Sequence, residues 1–106
     1  MKKYRIEEFK KGWIIGNFEP TIYKTKQVEI AMKSFAPNDT EPNHFQNIAT
    51  EITMVASGTI EINGTIFTEG DVILIEPGEE ANFKSISASK LFCIKYPSIP
   101  SDKVVN

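Results

Sequence analysis

His44, Gln46 and Glu51 place an imidazole, a carboxamide and a carboxylate within one short stretch, His44 to Gly58, and His44 is the only histidine of the chain. An imidazole titrates near neutrality and a neighbouring carboxylate can raise its pKa, a combination suited to a general base. A carboxylate buried near a cavity must be paired or protonated, and His44 or Gln46 can supply the partner of Glu51. His44 and Gln46 are two residues apart, so on a strand they share a face. Glu51 opens a second strand, Glu51 to Ala56, and by the same parity Thr53 points with it into the cavity. The expectation is that these groups converge from two neighbouring strands on one cavity. His44 and Glu51 are then the candidate catalytic pair, Gln46 and Thr53 candidate ligand contacts. Ala81, Phe83 and Ser85 share one face of a later strand and are expected to form the opposite wall.

Positioning these side chains takes short strands and sharp turns. Met1 to Lys11 is polar and charged and reads as a helical turn or an irregular arm. Trp13 to Gly16 is a first strand; Trp13 and Phe18 read most simply as core or interface anchors, with a cavity wall as the lesser alternative. Gln27 to Phe35 alternates, Val28, Ile30 and Met32 on one side and Gln27, Glu29 and Lys33 on the other, the pattern of a half-buried strand. The loop Ala36 to Pro42 contains two prolines, which forbid a helix, and delivers the chain to His44. The face of the next strand opposite Glu51 is Ile52, Met54 and Ala56, wholly apolar, and needs a cover. Asn63-Gly64 between short alternating runs predicts a hairpin with a type I′ turn. Val72 to Ile75, Ala81 to Ile86 and Lys90 to Tyr96 complete about eight strands, and no segment reads as a convincing helix. That pattern predicts an all-β sandwich or barrel. The single domain, 1–106, divides into an N-terminal arm (1–12), a barrel (13–96) and an extended C-terminal tail (97–106).

A net charge of -2 argues against nucleic acid or an anionic membrane as partner. Lys2-Lys3 and Lys10-Lys11 flank Glu7-Glu8, which reads as a solvated terminus. Cys93 is the only cysteine, so no intrachain disulfide forms, and within Leu91 to Ile94 it reads as a buried structural residue. No apolar run is long enough to span a membrane, and the N-terminus lacks the apolar core of a signal peptide. The expected location is cytoplasmic. The uncovered face Ile52, Met54 and Ala56, with Trp13 and Phe18, predicts a homodimer.

The stretch from His44 to Gly58 resembles the first cupin motif, His-x-His, three or four residues, Glu, six residues, Gly, with Gln46 where the second histidine belongs. The second motif, Gly, five residues, Pro-x-Gly, two residues, His, three residues, Asn, is matched at Gly70 and Gly78. Glu76 takes the place of its proline, Ala81 of its histidine and Ser85 of its asparagine. The resemblance covers roughly Ser34 to Tyr96 and implies a double-stranded β-helix, the cupin jelly-roll barrel with one open mouth. The chain is also similar to a group of small single-domain cupin-like proteins through Gly12-Trp13, Gly16 to Pro20, Gly70-Asp71, Pro77 to Glu79 and Asp102-Lys103. That second likeness implies the fold and no particular activity.

Catalytic cupins hold a transition metal with three histidines and the glutamate. Carried over by position, the ligands here would be His44, Gln46, Glu51 and Ala81, of which alanine offers nothing and an amide oxygen is a poor donor. The expectation is therefore no resident cofactor, or at most a weakly held divalent metal on His44, Gln46 and Glu51. Some cupins are metal-free epimerases and ketoisomerases that move protons with a histidine. The resemblance thus implies a small-molecule-binding cupin, an isomerase or epimerase working on a sugar-like ligand through His44. The alternatives are a non-catalytic ligand-sensing or structural module and a weak metal-dependent enzyme. Arg5 is the only arginine and lies outside the strands, so a diphosphate group would fall to Lys33, Lys84 or Lys95; an uncharged or singly charged ligand fits better.

Overall fold

Short runs of β-branched and aromatic residues, each ended by a Gly, Pro or Asn turn, become eleven strands in a computed structural model that describes residues 1–106. They are β1 (Trp13–Gly16), β2 (Tyr23–Lys24), β3 (Glu29–Phe35), β4 (His44–Gln46), β5 (Thr50–Ser57), β6 (Thr59–Ile62), β7 (Thr65–Thr68), β8 (Val72–Ile75), β9 (Phe83–Ser85), β10 (Ser89–Tyr96) and β11 (Lys103–Val105). The N-terminal arm makes only two 3₁₀ turns, Ile6–Glu8 and Lys10–Gly12. No helix is long and apolar enough to cross a membrane.

Six strands form one sheet in the order β2-β1-β3-β10-β5-β8. Facing it, β7-β6-β9 and β11-β4 are joined by a bridge between His44 and Ala81, so that they act as one second layer. The result is an all-β jelly-roll barrel. Asn63 (φ 52°) and Gly64 (φ 83°) both adopt positive φ between β6 and β7, the conformation of the type I′ turn. Gly58, which ends β5, has φ +83°, and a Cβ there would stand 2.2 Å from the Ala88 carbonyl oxygen. The motif glycine is thus required by close backbone approach as well as by φ.

The core fills one end of the barrel: Ala31, Val55, Ile60, Phe83, Leu91 and Cys93 are buried, and the Phe35 ring packs on Phe83 with centroids 4.7 Å apart. In β3 the buried side is the one carrying Glu29, Ala31 and Lys33, while Ile30 and Met32 face outward. The alternation was legible, but it did not say that the charged side lines a polar cavity. The C-terminal tail is held by more than an extended conformation. β11 pairs antiparallel with β4, Lys103 opposite Gln46 and Val105 opposite His44. The buried Asp102 carboxylate accepts hydrogen bonds from the backbone N–H groups of Ile48 (2.9 Å) and Ala49 (2.8 Å).

Candidate functional site

Between the two layers lies a cavity of about 360 Å³. Its floor on the six-stranded sheet follows from register. Ala31, Cys93 and Thr53 are direct neighbours on β3, β10 and β5, a row of small side chains that leaves space. The adjoining inward row is Glu29, Lys95 and Glu51, three charges side by side. The other wall carries His44 and Gln46 from β4, together with Ala81 and Phe83. Trp13 and Phe18 close the side of the cavity, and Trp13 also packs against the core.

Six of the residues singled out in the sequence, His44, Gln46, Glu51, Thr53, Ala81 and Phe83, therefore line one cavity. Two details differ. Ser85 does not line it: fully buried, its hydroxyl binds the Ser87 carbonyl (2.6 Å) and the Ser89 hydroxyl (2.7 Å). Strand parity alone could not show that the neighbouring turn consumes its polar group. Ala81 and Phe83 do not oppose His44 either. Ala81 N–H donates to the His44 carbonyl at 2.8 Å, so they stand on the same wall. The opposing residues are Glu51 and Thr53, which belong to the six-stranded sheet.

That separation decides the partners of the two candidate catalytic groups. No hydrogen bond or ion pair joins His44 to Glu51. His44 Nδ1 instead lies 2.8 Å from the Pro42 carbonyl oxygen, which can only accept, so Nδ1 carries the proton. In the neutral ring Nε2 is then the acceptor, and it has no partner within the chain. Glu51 Oε2 accepts from the Thr53 hydroxyl at 2.8 Å. The loop before β4 thus orients the imidazole, and Glu51 does not.

Two ion pairs missed at the sequence level complete the lining. Lys33 Nζ is 3.2 Å from Glu41 Oε2, and Lys95 Nζ is 3.3 Å from Glu29 Oε1, whose other oxygen accepts from the Ser98 hydroxyl at 2.8 Å. Both ammonium groups approach the Trp13 ring, at 5.3 and 4.6 Å from its centroid. Lys84 points away and is exposed. Burial pushes the Glu41 carboxyl up, but the charge and hydrogen bond of Lys33, with Lys103 and His44, outweigh it and hold the pKa below the ordinary value. Burial, then the Glu51 charge, pushes the Cys93 thiol up to about 11, in keeping with an inert structural cysteine.

The donor set at the positions that would bind a metal in a cupin is a poor one: Ala81 has no donor, Gln46 offers only an amide oxygen, and no group of three His, Cys, Asp or Glu side chains is placed to hold an ion.

No family model matches the chain, and no curated protein matches it in sequence. Solved structures match it in fold. An uncharacterized conserved protein with a double-stranded β-helix domain from Klebsiella pneumoniae superposes with a TM-score of 0.71 at 14% identity, over 98% of this chain and 90% of that one. A sugar phosphate isomerase of the cupin superfamily from Silicibacter pomeroyi gives 0.58 at 13% identity, over 66% of this chain and 50% of that one. A bacterial pirin from Escherichia coli in complex with nickel(II) gives 0.71 at 12% identity; the match covers 83% of this chain and only 39% of the pirin.

Proposed function

We propose that this chain, built on the double-stranded β-helix of the cupins, binds a small sugar-like molecule in its barrel and moves a proton on it with His44, without a resident metal. The observation that carries this reading is the 2.8 Å contact of His44 Nδ1 with the Pro42 carbonyl. It fixes the tautomer in which Nε2 offers a lone pair on the cavity wall. A cavity of about 360 Å³ is of the size that takes one small molecule.

In this reading Nε2 removes a proton from a carbon next to the ligand carbonyl. The electron pair of that C–H bond forms a carbon–carbon double bond, and the carbonyl oxygen becomes an enolate oxygen. An ammonium group on the facing wall, Lys95 or Lys33, offsets that developing charge. The imidazolium then returns the proton. Delivered to the same carbon after the enolate has turned its other face to His44, it completes an epimerisation. Delivered to the former carbonyl carbon, while the hydroxyl proton passes to the enolate oxygen and a new carbonyl forms, it completes an isomerisation. Glu51 and Gln46 accept and donate hydrogen bonds to ligand hydroxyls, and the Thr53 hydroxyl holds Glu51 in place.

The test is a panel of reducing monosaccharides and sugar acids incubated with chelator-treated protein in D₂O. Loss of a proton signal next to a carbonyl, abolished by His44→Ala in a variant with an unchanged circular dichroism spectrum, supports the reading. Exchange with no member of the panel would sink the enzymatic part. Binding without exchange selects the second reading, a ligand-sensing module. That reading is favoured by the lack of any acidic group in contact with His44.

A further inference from the structure

We propose that the cavity mouth is an anion subsite built by Lys103 with Lys10 and Lys11, and that the ligand is a sugar acid bound with its carboxylate outward. This rests on the sugar-like ligand proposed above and assigns its class and orientation. Five lysines and four glutamates line the cavity, but their pairing is uneven along its depth. Lys33 and Lys95 are each paired with a carboxylate within 3.3 Å, and their side chains are only 15% and 13% exposed. At the mouth, Lys10, Lys11 and Lys103 are exposed and none has a carboxylate within ion-pair distance. The one glutamate at that end, Glu19, is paired at 3.4 Å with Lys24, which stands outside the lining.

The buried acceptors of the lining have the reverse character. Glu51 has no cation within ion-pair distance, and only the Thr53 hydroxyl donates to its side chain. The Gln46 carboxamide is buried and makes no side-chain hydrogen bond within the chain, so it too has capacity for a ligand. Exposed positive charge without a partner and buried acceptors without a partner match a molecule with an anionic end and a hydroxylated body. The Trp13 ring, also in the lining, offers an apolar face to a sugar ring.

Burial lowers the Lys103 pKa from the ordinary lysine value; the Glu41 charge opposes this, and the charges of Lys33, Lys95 and Lys11 add to the lowering. A bound carboxylate would add a favourable charge beside it. Lysine is a point charge without the forked geometry that arginine offers phosphate, so a singly charged carboxylate suffices.

Ligand-observed NMR titration at low ionic strength with D-glucuronate, D-glucose and D-glucose 6-phosphate tests this. Glucuronate should bind about tenfold tighter than glucose, with the advantage shrinking as salt screens the mouth. Lys103→Gln should weaken glucuronate about fivefold and leave glucose unchanged. The double variant Lys10→Gln, Lys11→Gln, on the exposed arm, should act in the same direction and guards against a tail disturbed by the first. Equal binding of glucose and glucuronate overturns the subsite and leaves the pocket reading standing. Tighter glucose 6-phosphate overturns the assignment to a carboxylate. No binding of any of the three overturns the sugar-acid proposal, while the solvent-exchange panel judges the pocket reading separately.

Discussion

The Lys95 ammonium stands 3.3 Å from the Glu29 carboxylate, and the two residues face each other directly across β10 and β3. Glu29 is only 5% exposed, and its second oxygen is tied to Ser98 in the tail. Removing the cation leaves a buried carboxylate with one hydroxyl for company. Lys95→Met should destabilise the chain by about 3 kcal/mol, in the range found when one partner of a buried pair is deleted. Urea denaturation measures it. A loss below about 1 kcal/mol would show that the pair behaves like a solvated surface contact.

Asp102 predicts a second stability effect, this one at the tail. Its carboxylate accepts from the N–H groups of Ile48 and Ala49, and its backbone carbonyl accepts from Asn47 at 3.2 Å. Asp102→Ala strands two donors, a loss of about 3 kcal/mol. Hydrogen exchange should accelerate at Ile48 and Ala49 and along β11, with little change at Cys93. Unchanged protection at Ile48 would remove the latch from the account.

Cys93 predicts the alkaline limb of stability. The folded thiol titrates at about 11 against an ordinary value of 9.0. Between those values the unfolded chain releases its proton while the folded one keeps it. Stability is thus fully present below about pH 9 and falls towards pH 11, by about 2 to 3 kcal/mol if nothing else titrates. Cys93→Ser or Cys93→Ala should flatten that limb. In the native protein at pH 8 a thiol reagent should react slowly, at a rate set by unfolding.

The outward side of the six-stranded sheet predicts self-association. Ile30, Ile94, Ile52 and Leu74 form one register row across four strands, and Met32, Phe92, Met54 and Val72 form the next. Met54, Val72 and Leu74 are 42, 60 and 56% exposed in the single chain. A second copy laid on this face would bury both rows, and a flat apolar patch of this extent is unusual on a monomer. Light scattering should give the mass of two 11.9 kDa chains. Leu74→Lys should convert it to one, and a wild-type monomer at micromolar concentration would reject the dimer.

Local pattern carried the fold a long way. Period-two alternation and the turn residues placed the strands and the Asn63-Gly64 hairpin, because both depend on neighbours in sequence. Parity brought His44, Gln46, Glu51 and Thr53 to the cavity, because a strand side chain's face is set by counting along the chain. What parity cannot give is which layer each strand joins. That choice put Glu51 across the cavity from His44, gave the imidazole to Pro42 and set Ala81 beside His44 instead of opposite it. It also turned the charged side of β3 inward, since Glu29 and Lys33 become buriable only once Lys95 and Glu41 arrive from distant segments to neutralise them. Ser85 was lost to the site through a contact with Ser89, a residue whose position depends on the turn between β9 and β10. The residues that could do chemistry were written in the sequence; which of them meet was decided by long-range pairing of strands and of charges.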